Sequence, residues 1–158
     1  MEARIFQLNI SPGGVPKHAI REGEVSELGL LGDEHNFPEI HGGPERALCL
    51  FSLERILELQ AEGHPIFPGS VGENVTVSGL DWNAVVPGRQ LSLGDEVRVE
   101  ITSYTSPCDS IPESFKNGEY PRIFQKKHPG YSRVYARVLQ GGKLVIGQAV
   151  QLLDESAG

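Results

Sequence analysis

Glycine and proline cut this chain into short pieces. Its 19 glycines and 11 prolines, 30 of 158 residues, fall singly or in pairs between apolar runs. Glycine supplies the positive φ that tight turns require, and proline lacks the amide donor that a helix interior needs. This distribution excludes a helical bundle and predicts many short elements joined by tight turns. A hydrophobic share of 39% is too high for a disordered chain. No linker-like stretch divides the sequence, so residues 1–158 read as a single domain, long enough to fold without disulfides.

Local patterns name the elements. Arg4 to Ile10 alternates, with Phe6, Leu8 and Ile10 on one face, as a half-buried strand does. Glu24 to Leu31 reads as a weak strand ending at Gly32-Asp33. Arg46 to Phe51 is a short apolar run suited to a strand buried on both faces, and Val75 to Val77 is a further short strand. Ser52 is placed to cap a helix from Leu53 to about Glu62, with Gly63 at its end. Leu91, Leu93, Gly94, Val97 and Val99 recur at identical spacing as Leu144, Ile146, Gly147, Val150 and Leu152, each set reading strand, glycine turn, strand. Two such units with the other strands predict a mainly β fold, a closed or nearly closed barrel with a few short helices. Two of those helices are expected between Glu113 and Lys127, where Gly118 and Pro121 interrupt the apolar pattern and Ser110 is a plausible cap.

Charge narrows the function. The formal net charge of −7 makes nucleic acid a poor partner, because backbone binding needs a basic surface, although one basic pocket is compatible with it. No apolar run reaches the roughly 18 residues of a membrane helix. The stretch Met1-Glu2-Ala3-Arg4-Ile5 lacks the pattern of a secretory signal, so a cytoplasmic protein with reduced thiols is expected. No GxSxG, P-loop, HExxH or GxGxxG motif is present, which removes most common enzyme classes.

The two cysteines differ in setting. Cys49 lies inside Ala47-Leu48-Cys49-Leu50-Phe51, where a thiol acts as a small buried hydrophobe. Cys108 follows a proline and precedes a predicted helix start, whose free amides favour the thiolate, while Asp109 opposes it. Cys108 therefore reads either as a reactive thiolate or as a loop cysteine covered by strand ends. In His41-Gly42-Gly43-Pro44-Glu45-Arg46 the paired glycines allow close backbone approach to a ligand, and Arg46 offers a fork for phosphate or carboxylate. A plain loop has the same composition. His35 and His41 lack a third ligand at a recognisable metal-binding spacing, and His18, His64 and His128 read as solvated loop histidines. Glu73 and Asn74 either form a simple turn or hydrogen-bond a polar ligand. Arg133 and Arg137, four apart, are either solvated or anion-binding.

Taken in order, these pieces resemble the MOSC family, the domain named after the carboxy-terminal part of molybdenum-cofactor sulfurases. The matching residues are Gly32-Asp33 with His35; His41-Gly42-Gly43 with Arg46-Ala47-Leu48; Gly72-Glu73-Asn74-Val75-Thr76 with Gly79-Leu80; Leu93-Gly94-Asp95; Pro107-Cys108 with Ile111; and Ala136-Arg137-Val138-Leu139 with Gly141-Gly142 and Gly147. They run from about Ser11 to Leu153. The resemblance implies a barrel-like β fold and a cysteine, here Cys108, that carries sulfur or ligates molybdenum in the molybdenum-pterin cofactor. It also implies a cofactor-binding set of His41, Gly42, Gly43, Arg46, Glu73, Asn74 and Arg137. Nothing in the chain offers a pyridoxal-phosphate site, so a sulfur carrier of this kind would be supplied by a partner, a cysteine desulfurase or a molybdenum-cofactor biosynthesis protein. Three functions follow from the resemblance: sulfur transfer, a molybdenum-cofactor-dependent reductase of N-hydroxylated compounds, and a non-catalytic cofactor-binding module.

Overall fold

Strand pairing decides what the short apolar runs become. The structure, a computed structural model, describes residues 2–11, 15–33, 43–106 and 111–153. Within them the chain forms β1 (Arg4–Ile10), β2 (His18–Ile20), β3 (Glu22–Ser26), β4 (Gly29–Leu30), β5 (Leu48–Ser52) and helix α1 (Leu53–Ala61). Then follow β6 (Val75–Ser78), β7 (Gln90–Leu93), β8 (Val97–Tyr104), β9 (Val134–Gln140), β10 (Gly142–Val145) and β11 (Val150–Leu152). The fold is mainly β. Among the described residues no helix is long and apolar enough to cross a membrane.

One eight-stranded sheet runs in the order β11-β7-β8-β9-β5-β6-β1-β2, and a second runs β10-β3-β4. At the middle of the large sheet, β5 is buried along its whole length, as its continuous apolar run predicts. It pairs antiparallel with β9 and parallel with β6. A parallel pair needs a crossover, and α1 supplies it. Ser52 Oγ accepts the Arg55 amide at 3.2 Å to cap that helix, and Ile56 and Leu59 face the core. Trp82 closes one side of the core, edge-on to Phe51 at 6.1 Å, with its indole N–H donating to the Ser132 carbonyl at 3.0 Å.

Neither sheet closes into a barrel among the described residues. The outer side of β1 is shared. Its second half pairs with β2, and its first half meets only the turn ahead of β11, through the single bridge Arg4–Ala149 and bonds such as Ile5 N–H to Gln148 O at 2.9 Å. That contact is too short to form a ladder. The repeated Leu-x-Leu-Gly spacing also resolves into two different architectures. Its first copy is the hairpin β7–β8, with Leu93 opposite Val97. In the second copy β10 leaves to pair with β3, while β11 crosses to β7 and sets Val150 opposite Leu93. The run Glu24 to Leu31 is a hairpin, β3–β4, and not one strand. After Ile111 the chain forms three 3₁₀ turns, Pro112–Ser114, Lys116–Gly118 and Tyr120–Ile123, where two helical pieces were expected; glycine and proline leave none long enough for an α-helix.

The small sheet is locked to the large one at Gly29. This residue has φ 120°, and a Cβ there would overlap the Ala47 carbonyl oxygen just ahead of β5. Gly29→Ala therefore combines a backbone conformation unsuited to L side chains with a clash against a main chain that cannot yield. We expect it to lower the unfolding free energy by about 2–4 kcal/mol, read as a lower urea midpoint at unchanged slope.

Candidate functional site

The strand ends of β1, β5, β6, β8 and β9 gather polar side chains that are buried and mutually bonded. Asn74 opens β6 and is 1% exposed. Its Oδ1 accepts the Cys49 amide at 2.9 Å, and its Nδ2 donates to Asp33 Oδ2 at 2.8 Å. Asp33 in turn accepts the Ser11 amide at 2.9 Å and forms a buried ion pair with Lys17. Asn9 donates from Nδ2 to the Glu73 carbonyl at 3.1 Å, and its own amide donates to the Asn74 carbonyl at 2.8 Å. Each buried charge in this group thus meets hydrogen-bonding partners, as burial demands.

Glu73 is fully buried and accepts the Thr76 hydroxyl at 3.0 Å. Desolvation drives its carboxyl above the ordinary carboxylate range, against the opposing pull of the Gly69 and Glu73 amides, Thr76 and Arg133. Cys49 feels the same environment. Burial pushes its thiol up to about 11, with Arg133 acting weakly in the other direction. It is an inert packing residue, as its apolar neighbours predict.

One face of β9 carries the cationic groups. Arg133, Tyr135 and Arg137 alternate with the apolar Val134, Ala136 and Val138. Tyr135 pairs with Cys49 on one side and Ser103 on the other. Arg46, exposed at the end of the 3₁₀ turn Pro44–Arg46, stacks its guanidinium 5.5 Å above the Tyr135 ring. Gly43 begins that turn with φ 93°, and among the described residues a side chain there would meet nothing within 4 Å. Arg137 pairs with Glu100 at 2.7 Å across the strands. Arg133 is buried and donates from Nη1 to the Val71 carbonyl at 2.6 Å.

Of the residues singled out in the sequence, Gly43, Arg46, Glu73, Asn74 and Arg137 lie in the described residues. His35, His41, Gly42, Cys108 and Ser110 lie outside them. The structure brings Arg46 over Tyr135 of β9 and buries Glu73 and Asn74, engaged with protein partners. Sequence reasoning missed Lys17, and Asn9, which the alternation of β1 sets on the face opposite Leu8 and Ile10, is fully buried; both acquire partners only through long-range pairing. His64 corrects an expectation. It is 5% exposed, not solvated, with Nδ1 accepting the Lys116 amide at 3.0 Å and its ring against Phe115. Among the described residues no group of three His, Cys, Asp or Glu side chains is arranged to hold a metal.

Comparison with known proteins gives a consistent set of likenesses. The family model of the MOSC domain matches residues 38–151. The chain is 31% identical over 115 residues to the uncharacterized protein YflK of Bacillus subtilis strain 168, covering 72% of this chain and 51% of YflK. It is also 31% identical over 134 residues to a protein named "Reductase" from Gibberella moniliformis, covering 82% of this chain and 23% of that protein. The chain therefore spans about half of one curated relative and about a quarter of the other. In fold it matches the crystal structure of YiiM from Geobacillus stearothermophilus with a TM-score of 0.77 at 22% identity, over 99% of this chain and 77% of that one.

Two measurements check these environments. Because the folded state holds the Glu73 proton above pH 4.5 while the unfolded chain releases it, the unfolded state binds fewer protons there. Stability from this group is complete below the ordinary carboxylate pKa and declines as pH rises through the folded value. Glu73→Gln should flatten that decline in urea titrations run at successive pH values; an unchanged slope would show the carboxyl to be ionised. For Cys49, a thiol near 11 leaves a thiolate fraction on the order of one in a thousand or less at pH 7.5. Iodoacetamide should leave Cys49 unmodified in the folded protein and label it in denaturant, as read by peptide mass mapping.

Proposed function

The chain belongs to the MOSC domain family, and from that membership we propose a molybdenum-cofactor-associated protein of sulfur transfer or sulfur carriage, with Cys108 as its reactive thiolate. The family match carries this reading, because its span of residues 38–151 takes in His41 to Arg46, Glu73 and Asn74, Cys108 and Arg137. The surrounding chemistry supports it. A pterin cofactor presents anionic phosphate, and Arg46 is exposed with no ion pair among the described residues. Among the described residues nothing crowds Gly43 beside it, so these two residues fit the group. When bound, the cofactor supplies a molybdenum centre that takes thiolate or sulfide as ligands.

The roles of this chain's own residues follow. Arg46, with the His41-Gly42-Gly43 backbone, holds the anionic side of the cofactor, and Arg137 extends the cationic face. Glu73 and Asn74 act from behind, fixing the ends of β1, β5 and β6. In sulfur transfer the Cys108 thiolate attacks the outer sulfur of a donor persulfide. One S–S bond forms at Cys108 as the donor's breaks, and the donor leaves as a thiolate without net oxidation or reduction. The donor partner is a cysteine desulfurase or a protein of molybdenum-cofactor biosynthesis.

A second reading, a molybdenum-cofactor-dependent reductase of N-hydroxylated compounds with Cys108 as metal ligand, is favoured by the relative named "Reductase". Incubation with a cysteine desulfurase and cysteine should add the mass of one sulfur atom at Cys108, lost in Cys108→Ala. No gain at Cys108 removes the sulfur reading. Protein isolated from a cofactor-competent host containing molybdenum and pterin, with metal lost in Cys108→Ala, would establish the second. Pterin binding that survives Cys108→Ala, with neither activity, would reduce the protein to a binding module.

A further inference from the structure

Arg133 is a buried cation that forms no ion pair among the described residues. It is 7% exposed. Nη1 donates to the Val71 carbonyl at 2.6 Å, and Nε, shielded from water, has no hydrogen-bond partner. No carboxylate oxygen among the described residues forms an ion pair with it, whereas Lys17 has Asp33, Arg122 has Glu62 and Arg137 has Glu100. Glu73 acts on it only at longer range, and burial pushes that carboxyl toward its neutral form. A desolvated guanidinium without a counter-ion is unfavourable unless another anion completes it.

A second buried donor without a partner lies on the neighbouring strand end. The ladder that pairs Tyr104 with Val134 continues into the bond from the Thr105 amide to the Arg133 carbonyl, 3.0 Å. Directly opposed residues of antiparallel strands project their side chains to the same face, with Cβ atoms about 5 Å apart. Thr105 is 2% exposed, and its Oγ1 has no partner. The Ser132 hydroxyl, at 3.2 Å from the Thr105 carbonyl and 2.6 Å from the Arg133 carbonyl, ties the two strand ends together. Two buried donors on opposed strand ends, one charged and forked and one a hydroxyl, suit an acceptor bearing several oxygens.

We propose that Arg133 and Thr105 form a binding site for a tetrahedral oxyanion, on the same face of β9 as Tyr135. The anion is the phosphate monoester of a larger ligand or a free oxyanion such as phosphate or molybdate. The site deepens the cofactor reading and rests on it only for what carries the anion.

The test uses the whole chain, titrated by calorimetry and followed by thermal unfolding in phosphate and in molybdate, against chloride at matched ionic strength. Wild type should bind the oxyanions and gain melting temperature that chloride does not give. Arg133→Gln should weaken binding by about tenfold or more and Thr105→Val by several-fold, each losing the oxyanion-dependent gain. If Arg133→Gln does not fold, Arg133→Lys, which keeps the charge and loses the fork, decides together with Thr105→Val. No oxyanion-specific gain in wild type, or wild-type binding by both Arg133→Lys and Thr105→Val, overturns the site. 6-Hydroxymethylpterin and its phosphate monoester separate the sources. An Arg133-dependent preference for the monoester over free phosphate assigns the site to a phosphorylated pterin. Equal affinities assign it to free oxyanion, leaving the site intact and the cofactor reading without this support. Monoester binding unaffected by Arg133→Lys and Thr105→Val leaves the cofactor reading intact and overturns the site.

Discussion

The carboxamide of Asn74 is the joint on which the functional end of the sheet depends. At the point where β6 begins, its backbone and side chain both bond to Cys49, from the Asn74 amide to the Cys49 carbonyl at 2.7 Å and from the Cys49 amide to Oδ1 at 2.9 Å. The Asn74 carbonyl takes the Asn9 amide, and Nδ2 reaches Asp33. One residue therefore ties β5, β1 and the chain at Asp33 to a single position. An apolar side chain of similar size would leave the Cys49 amide without its partner, at a cost of about 1–3 kcal/mol, and Asp33 Oδ2 with Lys17 alone. The Lys17–Asp33 ion pair inherits its geometry from the same joint, since Asp33 is held from two sides before Lys17 reaches it.

From this joint the cationic face follows by strand register. Cys49 opposite Tyr135, and Tyr135 opposite Ser103, carry the alignment from β5 through β9 to β8. Arg46 then lies over Tyr135 because the 3₁₀ turn Pro44–Arg46 delivers the chain directly into β5, and Thr102 Oγ1 holds that turn through the Glu45 carbonyl at 2.6 Å. A chain with a net charge of −7 thus sets Arg46, Arg133 and Arg137 around one strand. Of these only Arg133 is desolvated, and there the low local dielectric strengthens each contact with an anion; Arg46 is exposed and acts in water.

Much of this was legible in the sequence, for definite reasons. Alternation placed the bounds of β1, although an irregularity between Ile5 and Gln7 breaks its period, exposing Phe6 and burying Ile5 and Asn9; the unbroken apolar run placed β5, and Ser52 placed the start of α1, because each is a local signal. What escaped was non-local. The second Leu-x-Ile-Gly unit has the grammar of a hairpin, yet Gly147 donates its amide to the Ile5 carbonyl at 2.7 Å, and the strands on either side part company. His64 looked solvated beside Gly63 and Pro65, but Phe115 and the Lys116 amide, fifty residues away, cover it. In the site, residue type suggested Arg46 and Arg137 alike, whereas cross-strand pairing gave Arg137 a carboxylate and left Arg46 without one. Lys17 carried no signal, since nothing near it in sequence announces Asp33.

The two cysteines show how far burial can assign chemistry. Cys49 lies close enough to Arg133 for that charge to act on it, and a thiol beside a guanidinium is often a nucleophile. Here desolvation outweighs the attraction, because Cys49 sits inside a strand buried along its whole length, and the thiol moves up to about 11. The stabilising effect of Arg133 on an anion is therefore not consumed by Cys49. Nor is it taken up by Glu73, whose carboxyl the same burial drives toward the neutral form. Burial thus does two things at once at the end of β9. It raises the pKa of the Cys49 thiol and of the Glu73 carboxyl, and it leaves Arg133 Nε without a hydrogen-bond partner.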